Sequence, residues 1–214
     1  MGKFIYIMGK SASGKDTVGK NLKDKLNLKN YVMYTTRPKR DGEQEGKDYF
    51  FVNQEEIERL REEGKIIESR TYNTIYGPWT YATVNDNQLD SDEDILGLGT
   101  LESYRSVREY FLRNGNENLL PVYIEIDEEE RRKRALKREQ TQANPKYEEM
   151  ERRLKADLID FSEENLSLAG IKENQRFQNY DLDECIGKIE NYIEENKKEK
   201  EGKKCQETEE IREN

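Results

Sequence analysis

Nine residues near the start of the chain, Gly9-Lys10-Ser11-Ala12-Ser13-Gly14-Lys15-Asp16-Thr17, restrict its fold more than anything else in the sequence. They match the spacing G-x-x-x-x-G-K. An apolar run at residues 3–8 precedes them, and a segment over 15–26 follows in which Val18, Leu22 and Leu26 recur at helical spacing. In a strand, glycine loop and helix in that order, backbone N–H groups converge on phosphate oxygens, the helix N-terminus adds its dipole, and the lysine neutralises β and γ phosphates. Residues 9–17 are therefore assigned to a nucleoside triphosphate. A chance glycine turn ahead of a surface helix is the alternative, and it does not explain why all three segments fall in place. Asp16 stands where the motif usually has Ser or Thr. A carboxylate beside triphosphate is repulsive unless a cation lies between them, which makes Asp16 a candidate ligand for Mg²⁺ and Thr17 a candidate hydroxyl for a phosphate. The other reading of Asp16 is an acid at a helix N-terminus with no metal role.

Beyond residue 26 the pattern predicts strands at 31–34, 49–52, 65–72, around Tyr76-Gly77-Pro78 with a turn between these two, and at 95–98 and 119–126. Helices are predicted at 54–63, closed by Gly64, and at 101–112, 128–140, 146–168 and 182–195, with 35–48 a loop. Strands alternating with helices imply a three-layer α/β fold with a mostly parallel central sheet and the ligand at the carboxyl ends of the strands. Residues 196–214 carry two apolar residues among many charges and are expected to be a disordered tail.

Composition excludes several chemistries. There is no histidine, which removes Ser-His-Asp and Cys-His catalysis and argues against zinc. Cys185 and Cys205 lack C-x-x-C spacing and read as reduced thiols. The net charge of −9, from 37 basic and 46 acidic residues, argues against a nucleic-acid partner, so any anion site must be a local cluster. No run is long enough for a signal peptide or a membrane span, and the expectation is a cytoplasmic protein.

Thr35-Thr36-Arg37-Pro38-Lys39-Arg40, followed by Gly42-Glu43, Gly46-Lys47-Asp48-Tyr49 and Phe51-Val52, resembles the substrate-binding segment of guanylate kinases. Ile67-Glu68, Tyr76-Gly77 and Asp181-Leu182-Asp183 extend the resemblance, which runs from about residue 3 to residue 195. It implies a P-loop kinase fold with a core (1–32, 86–127, 169–195), an inserted monophosphate-binding region (33–85) and a lid with its following helix (128–168). It further implies that Arg37, Arg40, Tyr49, Glu68 and Tyr76 hold a nucleoside monophosphate, with Glu68 accepting from N1 and N2 of guanine. Asn179 joins the ATP site. Arg134 and Arg138, four apart on one helix face, resemble lid arginines with Arg153, and with Lys15 and Arg37 they form the catalytic set. The implied reaction is transfer of the γ-phosphoryl group of Mg·ATP to GMP or dGMP. The sequence departs from the family at Met33 and Pro78, where base-reading hydroxyls are usual, and at Gly97 and Gly99, which align with an Asp-x-Asp motif. Ser13-Gly14-Lys15-Asp16-Thr17 is similar to the loop of phage deoxynucleoside monophosphate kinases, so another acceptor base is an open alternative. A non-catalytic binding module is a second one.

Overall fold

Strand β1 (Phe4–Gly9) is buried along its whole length, which requires an apolar layer on each of its faces. In the computed structural model, which describes residues 2–74, 76–86, 88–89, 92–142 and 144–213, with side chains to residue 198, β1 is the centre of a five-stranded sheet. Its neighbours are β7 (Ile95–Gly99) and β8 (Leu119–Glu125), flanked by the short edges β2 (Lys29–Asn30) and β9 (Arg176–Gln178), and every pairing is parallel. Alternate residues of β1 serve opposite layers. Ile5 and Ile7 pack with Val18 and Leu22 of α1 (Lys15–Leu26) and with Cys185, Ile189 and Ile193 of α7 (Leu182–Glu213). Phe4, Tyr6 and Met8 pack with Tyr104, Val107 and Phe111 of α3 (Leu101–Arg113) and with Leu166 of α6 (Glu163–Leu168). The three-layer α/β expectation is met.

Between β2 and β7 the chain builds a second sheet, β4 (Phe50–Phe51), β3 (Tyr34–Thr35), β6 (Gly77–Val84) and β5 (Ile66–Thr74), in that spatial order. Its inner face is closed by Ile57 and Leu60 of α2 (Gln54–Glu62) against Ala82 and Val84. Helices α4 (Glu128–Gln140) and α5 (Tyr147–Asp160) meet through Ala135, Met150 and Leu154.

Three boundaries differ from expectation. The strand predicted at 31–34 is split: Tyr31 and Val32 cross from one sheet to the other, with the Tyr31 N–H on the Leu96 carbonyl and the Val32 N–H on Gln88 Oε1. The helix predicted at 146–168 breaks at Phe161, a buried ring stacked 5.5 Å from Tyr123, and restarts where Ser162 caps α6 by accepting from the Asn165 N–H. The last helix continues to Glu213, through the segment expected to be disordered. Cys185 is a buried free thiol, whereas Cys205 lies where side chains are not described.

Leu22 has no exposed surface, and Leu22→Ala should cost about 2–5 kcal/mol of unfolding free energy in urea titration. Leu136→Ala, on an exposed part of α4, should change it by about 0.5 kcal/mol or less.

Candidate active site

The phosphate loop leaves β1 and enters α1 through Gly14, whose φ of 92° is closed to most side chains. Buried Asn179 donates from Nδ2 to the Ser13 carbonyl at 2.7 Å, and a Cβ on Gly14 would lie 2.3 Å from that nitrogen. The Asn179 carbonyl in turn accepts from Arg134 Nη2 at 2.9 Å. Asn179 therefore shapes the loop from behind. Ser13 is fully buried and its Oγ has no hydrogen-bond partner among the described residues.

The middle of the loop is held by the lid. Arg131, 1% exposed, donates to Asp157 at 2.8 Å, Glu128 at 2.5 Å, the Leu154 carbonyl at 2.9 Å and the Ser11 carbonyl at 3.4 Å. Asp157 Oδ2 also accepts the Ser11 N–H at 2.9 Å, so a carboxylate here engages a donor of the kind a phosphate oxygen would take. Ala12 adopts φ 64°, an uncommon conformation for a residue with a Cβ, and its methyl packs on the Ala135, Met150 and Leu154 cluster. Lys10 is paired with Glu128 at 2.7 Å, and Lys15 with Asp16 at 2.8 Å.

A cavity of about 750 Å³ opens over this loop. It is lined by every expected loop residue except Ser13: Gly9, Lys10, Ser11, Ala12, Gly14, Lys15, Asp16 and Thr17. Arg134 and Arg138 from α4, Arg153 from α5 and Asn179 line it as well, so all three expected lid arginines face the phosphate loop across one space. Arg134 and Arg153 rest on Glu130 at 3.2 Å and Glu149 at 2.9 Å. Among the described residues no three acidic or cysteine side chains form a metal-binding group. Asp16 and Thr17 supply one carboxylate and one hydroxyl, a set that suits Mg²⁺ when phosphates and water provide its remaining ligands.

The acceptor side is built on the second sheet. The buried Thr35 hydroxyl donates to the Thr80 carbonyl at 2.9 Å and accepts the Arg37 N–H at 3.1 Å, which fixes where Arg37 leaves β3. The Arg37 guanidinium, 3% exposed, forks onto Glu43 at 2.6 and 3.0 Å and lies 5.4 Å from the Tyr49 ring centroid. Hydrogen bonds from Arg37 and from the Arg40 N–H hold the Glu43 carboxyl below the usual carboxylate range. Arg40 itself is exposed. Beside Tyr49 a cleft of about 350 Å³ is bounded by Met33, Arg70, Tyr72, Trp79, Tyr81 and Thr100. Thr100 also lines the cavity over the phosphate loop, so the two spaces meet there. Glu68 sits behind the cleft, where Oε1 accepts from Ser103 at 2.7 Å and Thr83 at 3.0 Å. Tyr76 stands apart from the cleft, 78% exposed and stacked on Trp79.

Gly97 and Gly99 are explained by the neighbouring strand. A Cβ on Gly97 would lie 2.6 Å from Phe4 Cε2, and one on Gly99 only 1.9 Å from Tyr6 Oη. Aromatic rings from β1 fill the space in front of both glycines. Sequence reasoning missed Arg131, Asp157 and Arg70. For Arg70 a signal existed: it is two residues from Glu68 on a strand and shares its face.

The guanylate kinase family matches residues 1–196. A guanylate kinase of Thermotoga maritima is 30% identical over 146 residues, 59% of this chain and 70% of that one. One of Anaplasma phagocytophilum is 42% identical over 80 residues, 36% of this chain and 38% of that one. Six further curated guanylate kinases are matched over 51% to 64% of their length. The crystal structure of guanylate kinase from Anaplasma phagocytophilum superposes with a TM-score of 0.58 at 25% identity, covering 91% of this chain and 86% of the other.

Two stability measurements check this geometry. Asp157→Ala removes one partner of a buried guanidinium and should cost about 2–3 kcal/mol, less than the usual range for a broken buried pair because Glu128 stays, while Asp157→Asn should cost less. Gly99→Ala should cost about 1–3 kcal/mol in the native protein and clearly less in a Tyr6→Leu background, since the clash is with that ring.

Proposed function

The chain belongs to the guanylate kinase family, and on that premise we propose that it transfers the γ-phosphoryl group of ATP to GMP or dGMP, giving ADP and the diphosphate. The observation that carries the reading is the shared boundary at Thr100: the cavity over a phosphate loop faced by lid arginines and the cleft beside Tyr49 have this residue as a common wall. A different acceptor base and a purely structural binding role are not favoured by the family assignment.

The chain's own groups account for the steps. Loop N–H groups and Lys15 bind the β and γ phosphates. For this the Ser11 N–H must leave Asp157, and Lys15 must share its charge between Asp16 and phosphate. Arg37 and Arg40, with Tyr49, hold the acceptor phosphate, a role suited to fixed guanidinium donors. Arg134, Arg138 and Arg153 close over the transferred group, offset charge on its oxygens and exclude water. No general base is required, consistent with a chain that has no histidine. Asp16 and Thr17 would hold magnesium, which would neutralise phosphate charge when bound. ATP and nucleoside monophosphates are metabolites of the cytoplasm, which is the proposed location.

An assay coupling ADP release to acceptor addition tests this. GMP and dGMP should stimulate turnover above the ATPase background and above AMP, CMP, UMP and dTMP. Arg138→Met should lower kcat by about 100-fold, as removal of one preorganised charge contact does. If no acceptor raises ADP release above background, the reading is wrong.

A further inference from the structure

The base end of the acceptor cleft holds a cation that the family pattern does not explain. Glu68, Arg70 and Tyr72 share one face of β5, opposite Thr83, Tyr81 and Trp79 of β6. On that face Arg70 borders the cleft while Glu68, 8% exposed, lies behind it. The guanidinium is fixed at two points: Nε faces Glu68 Oε2 at 3.3 Å, and Nη1 donates to Thr100 Oγ1 at 2.7 Å. Nη2 has no partner among the described residues. Thr100 also caps α3 by accepting the Ser103 N–H, and Ser103 holds Glu68, so the network closes on itself. Such a side chain is positioned in advance and keeps donors in reserve. The family's hydroxyls for the base are missing here, since Met33 is a wall of the same cleft and Pro78 is exposed at the far end of the hairpin.

We infer that Arg70 is a specificity-determining residue, which donates to the O6 and N7 edge of the acceptor guanine while Glu68 behind it holds the guanidinium in place. Arginine is a donor-only fork that matches two adjacent acceptors, and guanine O6 and N7 are such a pair. Adenine presents an amino donor at position 6 and is opposed. Discrimination that two hydroxyls would supply by hydrogen bonding is thus carried by one guanidinium. The inference rests on the GMP kinase reading above.

The test is steady-state kinetics with GMP, AMP, 6-thio-GMP, in which the acceptor at position 6 is weakened, and 7-deaza-GMP, in which N7 is removed. Wild type, Arg70→Ala and Arg70→Lys are compared, the lysine variant keeping a cation beside buried Glu68 so that folding is preserved. The native enzyme should favour GMP over at least one analogue by about fivefold or more in kcat/KM. Either variant should lose about tenfold or more with GMP, lose little with AMP, and become indifferent between GMP and the analogues. If a variant slows GMP, AMP and both analogues by one common factor, Arg70 only positions Glu68 and the inference fails while the kinase reading stands. If native protein does not turn over GMP at all, the kinase reading falls and the inference with it.

Discussion

A phosphate loop is a ring of backbone donors aimed at an anion, and its shape has to be held from behind. In this chain the Arg131 guanidinium does so. It is buried between the lid helices, bound to carboxylates on both of them, and reaches the Ser11 carbonyl, while its partner Asp157 takes the Ser11 N–H. Burying a charge is costly unless it is paired and hydrogen-bonded, and Arg131 is both. The left-handed turn at Ala12 belongs to the same arrangement, because its methyl is seated on the apolar seam between α4 and α5. The loop and the lid are joined through this one buried network.

The arginines that face the cavity are held differently. Arg134 and Arg153 rest on glutamates four residues back on their own helices, contacts between side chains that keep substantial exposure. Such pairs are worth little in water, so a multiply charged phosphate can outbid them. Arg138 has no ion-pair partner among the described residues. A chain of net charge −9 thus concentrates positive charge around the phosphate loop, while the buried Arg131 is committed to structure. Steering of ATP depends on this local field and not on the overall charge.

The division between what was and was not legible follows from this. The limits 15–26 of α1 were readable because the loop, the dipole and the apolar spacing all agree there. Arg134, Arg138 and Arg153 could be picked out through the family pattern, but Arg131 could not: in a helix written Glu-Glu-Glu-Arg-Arg-Lys-Arg every charge looks solvated, and which one is buried is decided by α5. Residues 31–34 read as a strand because they are apolar, yet the chain there passes between two sheets and satisfies its N–H groups one at a time. Ser162-Glu163-Glu164 was a readable helix start, a hydroxyl ahead of two acids, hidden because no glycine or proline interrupts residues 146–168.

The missing Asp-x-Asp carboxylates give the sequence departures a single physical cause. Gly97 and Gly99 are small because Phe4 and Tyr6 of the adjacent strand occupy the room in front of them, and an aspartate at 99 could not coexist with the Tyr6 ring. Filling that space with aromatic surface strengthens the core beside α3, where Tyr6 also meets Tyr104 at 5.7 Å, but it takes two acceptors away from the nucleotide. Glu68 is left as the acid of this end of the cleft, drawn inward by Ser103 and Thr83, and burial with Arg70 beside it gives an ion pair in place of a row of hydroxyls and carboxylates. An exchange of acceptors for a donor alters which edge of a purine can be read. The Watson–Crick hydrogens of guanine lose partners, and its O6 and N7 gain one. The proposed reading of guanine therefore depends on β1, β5 and β7 together: the aromatic rings of β1, the glycines of β7 that admit them and the Glu68–Arg70 pair of β5.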